Sequence, residues 1–174
     1  MKHHLYVLLI ALRVLVVVIA FAAIGQFLYA YSSFTDPEEA NRLIRSTFRV
    51  VAPKSPVPDE YVGYYFIVYG LLLCYLVYAL VMLYRSFIRL HSGDVFYDRQ
   101  AMHFKQAGAG IIIFAKCNYL LHCAFGAICF RDITSFLSEI PLFLGLYLGG
   151  KVILVLYYMA EKGTVLREET DLTI

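Results

Sequence analysis

The stretch RSFIRLHSGDVFYDRQAMHFKQAG, Arg85 to Gly108, decides how the chain is read. It is the longest charge-bearing break in the second half of the sequence. Two apolar runs precede it and two follow. Each run is about twenty residues, the length at which a helix crosses the hydrocarbon of a bilayer. Backbone N–H and C=O groups in lipid must be satisfied internally, so four such runs predict four transmembrane helices. The stretch is then the joint between two membrane hairpins. Within it, Ser92-Gly93-Asp94 signals a turn, and Asp98 can cap a short interfacial helix that begins near Arg99 and feeds the third span.

Composition supports an all-α membrane protein. Of 174 residues, 61% are hydrophobic and 16% charged, against ~45–50% and ~25% in ordinary soluble domains. Spans are expected at about 5–29, 61–83, 107–130 and 141–160, with a tail over 161–174. They form one four-span domain and leave no room for a separate soluble one. Lys2 precedes a run too long for a secretory signal, whose apolar core is ~7–15 residues, so the first span is expected to be retained. The net charge of +2 gives no reason to expect direct nucleic-acid binding. Cys74, Cys117, Cys123 and Cys129 all fall in apolar runs with no zinc or CxxC spacing, and read as small apolar residues. No metal site, cofactor or catalytic motif is expected.

The first loop opens with TDPEEANRLIRSTFRVV. Thr35 or Asp36 can cap, and Pro37, Glu38 and Glu39 suit a first helical turn. Ala40, Leu43, Ile44, Phe48 and Val51 share one face, while Arg42, Arg45 and Arg49 share another. This predicts an amphipathic helix in the first loop, either lying on the membrane surface or packed on the bundle as a lid. Pro53, Pro56 and Pro58 then stop it. Span 2 is rich in tyrosine, and the chain has no Trp. Tyr61, Tyr64, Tyr65 and Tyr84 read as the interfacial belt. Tyr69, Tyr75 and Tyr78 lie deeper, and their hydroxyls need partners.

Four spans put both termini and the central joint on one side. That side carries Lys2, Arg85, Arg89, Arg99, Lys105, Lys162 and Arg167; the other carries Arg42, Arg45, Arg49, Lys54 and Arg131. Arg13 and Lys116, at ~12 and ~14 Å by helical rise, are nearer the terminal side. The positive-inside rule therefore places both termini in the cytoplasm and the amphipathic loop helix outside.

Arg13, Lys116 and Lys151 sit inside spans that contain no Asp or Glu. At similar depth on three helices, they form a candidate anionic-ligand site if they face the interior. The other reading is snorkelling to the head groups. Asn118 and His122 share a face of span 3, opposite Lys116, with Gln26 expected within reach of His122. Gly145 and Gly149 form a GxxxG pattern, beside Gly150, that suits an internal contact or a homo-oligomer seam. Gly163 is placed to end the last helix.

Two stretches carry a family resemblance. One is the Gly93-Asp94-Val95-Phe96 turn with the short helix that ends at Gly108. The other is the terminus from Leu166 to Ile174, LREETDLTI. Together they resemble the bacterial membrane family of domain of unknown function 2975. That resemblance implies four spans, a bacterial inner-membrane location and no assigned chemistry. It also implies a genomic setting beside a small helix-turn-helix regulator, hence a possible cytoplasmic protein partner. Two departures concern the surface of that helix: Phe104-Lys105-Gln106-Ala107 replaces the family's Leu–basic pair, and Tyr97 replaces a small capping residue.

The candidate partner surface is therefore Gly93, Phe96, Arg99 and Lys105 of the joint with Glu168, Glu169, Asp171, Leu172 and Ile174 of the tail. The acidic tail could dock on the basic joint through Leu172 and Ile174, or stay solvated. The expected function is a non-enzymatic regulatory or accessory membrane protein. The alternative is a small transporter, or an anionic-lipid or ligand binder, that uses the intramembrane basic residues.

Overall fold

A computed structural model describes residues 2–48, 59–91, 100–130 and 134–171. The described chain is helical: α1 Lys2–Thr35, α2 Pro37–Phe48, α3 Asp59–His91, α4 Gln100–Phe125 with a wide π turn over Gly126–Phe130, α5 Thr134–Ser138 and α6 Ile140–Asp171. Four of these helices are long and apolar enough to cross a membrane. At ~1.5 Å per residue, the 34 residues of α1 reach well past the ~30 Å of hydrocarbon. The helices thus overrun the apolar runs expected as spans.

The long helices pack in chain order: α1 on α3, α3 on α4, α4 on α6. Among the described residues, α1 and α6 share no extended seam. The inner helices are therefore buried on two sides and the outer ones on one. In the most apolar window, 44% of α4 is buried but only 6% of α6. The outward residues, such as Val18, Phe21, Leu148 and Val152, suit contact with lipid, whose tails are as apolar as they are.

Glycines set how closely the helices approach. A Cβ on Gly63 would stand 2.8 Å from Phe34 Cζ, and one on Gly70 would stand 3.1 Å from Phe27 Cζ, so α1 and α3 run antiparallel. Gly110 faces Ala79 of α3, where a Cβ would come within 2.7 Å of the alanine's own. Gly108 and Gly150 face each other across α4 and α6, each 3.0 Å (Cβ position to O) from the other's carbonyl. The close α4–α6 contact is thus made by Gly150. Gly145 and Gly149 are exposed, with nothing within 4 Å of a Cβ at either.

Two local features follow from short-range chemistry. Asp36 accepts a hydrogen bond from the Glu39 N–H at 3.4 Å, which caps α2 at the turn where α1 ends. At the other end of the chain, Gly163 does not terminate α6, which continues to Asp171. Interior glycine costs only ~1 kcal/mol relative to Ala, and Glu161, Lys162, Leu166, Arg167, Glu168 and Glu169 around it are good helix formers.

The seam predicts a sharp contrast. Gly150→Leu should lower stability by ~1–3 kcal/mol, because the side chain must enter the Gly108 backbone contact. Gly145→Leu and Gly149→Leu should leave the melting temperature in detergent unchanged. Thermal size-exclusion profiles of the three variants test this.

Candidate functional site

The most connected polar group in the interior is His122, 8% exposed on α4. Its Nδ1 lies 3.0 Å from the Asn118 carbonyl oxygen one turn earlier. A carbonyl only accepts, so Nδ1 carries the proton and donates. Nε2 is then the bare nitrogen, and it accepts from the Tyr65 hydroxyl at 3.1 Å. Both ring nitrogens are used, as a buried imidazole requires.

Aromatic rings enclose this pair. Tyr69 meets the His122 ring edge-on at 5.3 Å, and Phe125 lies 4.6 Å from the Tyr65 ring. Phe48 of α2 touches Tyr65, His122, Phe125 and Phe130. The π turn explains how Phe125 and Phe130 both reach the cluster: residues five apart come back to one face only in that wider winding. Ile44 of α2 is 0% exposed beside them. α2 therefore covers this end of the α3–α4 pair. With both His122 nitrogens engaged, the pair acts as a lock among α2, α3 and α4. Among the described residues, no group of three or more His, Cys, Asp or Glu side chains could hold a metal ion.

Tyr65 is the residue that sequence reasoning misassigned. It was expected in the interfacial belt, yet it is 3% exposed, while Tyr75 and Tyr78 are exposed. The available signal was the Tyr65–Tyr69 spacing of four, which puts both rings on one helix face. Gln26 does not reach His122, because α1 packs on α3 and α3 stands between them. The Gln26 Oε1 is buried and accepts no hydrogen bond from a described residue.

The opposite end, where α3 finishes and α4 begins, is basic. Arg85, Ile88, Arg89 and His103 line a cavity of about 330 Å³ there. Beside it, the Lys105 ammonium sits 5.4 Å over the Tyr157 ring. Tyr157 donates its hydroxyl proton to Glu161 Oε1 at 2.7 Å, one turn along α6. The Lys105–Tyr157 contact ties α6 to α4 at this end.

Of the candidate partner surface, Lys105 lies in this cluster. Gly93, Phe96, Arg99, Leu172 and Ile174 lie outside the described residues. Glu168, Glu169 and Asp171 fall on the last turns of the α6 backbone. Arg13, Lys116 and Lys151 are all exposed on the outer faces of their helices and do not converge inside the bundle. Nor do they share one depth. The Phe27–Gly70 and Ala79–Gly110 contacts put Arg13 about level with Lys105, ~16 Å from Lys116 along the helices. Helix register, invisible in the sequence, separates them.

No family model matches the chain, and no curated protein or solved structure matches it either. The resemblance to domain of unknown function 2975 accordingly rests on the residues quoted for it.

The Tyr65–His122 bond is measurable by a double-mutant cycle. Tyr65→Phe and His122→Leu should each destabilise by ~1–3 kcal/mol by stranding a buried partner. The double variant should lose less than the sum. Unfolding in detergent reads the coupling, and full additivity would show that the bond carries no weight.

Proposed function

We propose that this protein is a non-enzymatic accessory or regulatory subunit of the bacterial inner membrane, whose partner is engaged on the cytoplasmic side. In this reading the four spans form two hairpins, both termini are cytoplasmic, and α2 is extracytoplasmic. Support for the orientation comes from the positive charge at the terminal end: Lys2, Arg85, Arg89, Lys105 and Lys162, the pattern of the positive-inside rule. The resemblance to domain of unknown function 2975 agrees with that setting and makes a helix-turn-helix regulator a candidate partner.

One observation carries the reading. α6 continues without a break from the apolar layer to Asp171, eight residues beyond Gly163, or ~12 Å of helix. The segment includes Arg167, Glu168, Glu169 and Asp171, so it is a charged helical arm rising from a membrane base. Its root is fastened to α4 by Lys105 over the Tyr157 ring. A helix held at its root presents its residues with little ordering left to do on binding, which favours recognition. The arm also runs away from the basic cavity: Lys105 is level with Tyr157, so His103 is about level with Met159, and Glu168 is ~14 Å further out. That geometry sets the acidic residues apart from the basic cavity.

Affinity purification with a tag in the first loop tests this. The full chain should recover a partner that a variant lacking residues 164–174 does not, while both insert and melt alike. Equal recovery without the arm, or recovery of anionic lipid alone, would reject the reading.

A further inference from the structure

Lys116 and Lys151 lie near the middle of the membrane. Lys116 is two to three residues from the midpoint of the apolar run 107–130, and Lys151 adjoins the midpoint of 141–160. Each is thus within ~4 Å of the centre of its run along the helix axis. The hydrocarbon boundary is ~15 Å away on either side, and an extended lysine reaches only ~6 Å from its Cα. Snorkelling, which serves Arg13 near the boundary, falls short for both. Both side chains are exposed at the surface of the bundle.

The Lys151 ammonium sits 5.5 Å over the ring of Tyr147, one turn back towards the start of α6. The Gly108–Gly150 and Tyr119–Phe143 contacts place Tyr147 between the levels of Ile111 and Ala115, so the Lys151 ammonium reaches back from its own Cα towards the level of Lys116. Each lysine lies beside the α4–α6 seam: Lys116 is four residues after Ile112 and three before Tyr119, and Lys151 follows Gly150.

A charge exposed to hydrocarbon is costly and calls for a counter-charge at its own depth. The chain itself supplies none, because the runs 5–29, 61–83, 107–130 and 141–160 contain no Asp or Glu. A second copy fails for the same reason. Lipid phosphates stay at the boundary. We infer that Lys116 and Lys151 form an intramembrane docking surface for a different membrane protein, one whose transmembrane helix carries an Asp or Glu near its centre. The helix lies along the outside of the α4–α6 seam, with its carboxylate accepting hydrogen bonds from the two ammoniums. Charge-assisted bonds of this kind are the strong ones, and no water competes there. The surface deepens the accessory-partner reading by naming the partner's chemistry.

A probe without any cytoplasmic part separates this site from the arm. The full chain, reconstituted in phosphatidylcholine vesicles, is mixed with a Leu/Ala-based transmembrane peptide carrying one central Asp. Association is read by energy transfer. The Asp peptide should bind on the order of tenfold more tightly than the same peptide with central Leu, a fold-change typical of interhelical polar contacts. Lys116→Leu/Lys151→Leu should abolish the difference, and Lys116→Gln/Lys151→Gln should recover only a small part of it. These exchanges make the spans more apolar or keep them polar without charge, so insertion and melting serve as controls. Equal binding of the Asp and Leu peptides overturns the inference. So does undiminished binding to the double Leu variant, equal binding of a peptide whose Asp lies at head-group depth, or loss of binding when phosphatidylglycerol replaces phosphatidylcholine. Removal of residues 164–174 should not change the result.

Discussion

The approach of Gly108 and Gly150, each within 3.0 Å (Cβ position to O) of the other's carbonyl, holds the last helix to the rest. In lipid there is no hydrophobic force to press helices together, so close van der Waals contact must do it, and glycine permits the closest. Among the described residues, α6 packs chiefly along α4. The parts carried by α6 take their place from this seam: the arm beyond Gly163, the Lys105–Tyr157 contact at its root and the depth of Lys151. The same device recurs at Gly63, Gly70 and Gly110, so small residues fix the spacing of the whole row.

The row leaves the two ends chemically unlike. At one end α2 closes over an aromatic cluster whose polar atoms are largely spoken for: Tyr65 donates to His122, and His122 donates to the Asn118 carbonyl. Such a group resists change, because stranding either partner costs its full desolvation. The other end has Arg85, Arg89 and His103 around a cavity and Lys105 beside the exit of α6. One end is built to stay closed. The other offers charge to whatever lies in that compartment.

Between the ends, Lys116 and Lys151 are the charged side chains exposed on the outer surface among the described residues. Their place near the middle of their apolar runs contrasts with His122, buried within, and Arg13, near the edge of its run. Local departures of this kind are expected where function overrides stability. The proposed accessory role would reconcile the two: a surface unfavourable in lipid alone becomes favourable against a partner of opposite charge.

Length and apolarity are one-dimensional properties, and the sequence by itself determined what depends on them. Four helices long enough to cross a bilayer were legible in four runs of about twenty apolar residues. The helix over Pro37–Phe48 was legible in its capping residues and periodicity, and the opposite faces of Lys116 and His122 followed from helical spacing. Tertiary structure alone decided which glycine meets which backbone, and so chose Gly150 over the Gly145–Gly149 pattern. It moved Tyr65 from the belt to the core, put α3 between Gln26 and His122, and set Arg13 and Lys116 at different depths. It also carried α6 through Gly163, where local chemistry permits a stop but does not impose one. Rotation and register of a helix are set by the shape of its neighbour, and no single helix encodes the shape of the one beside it.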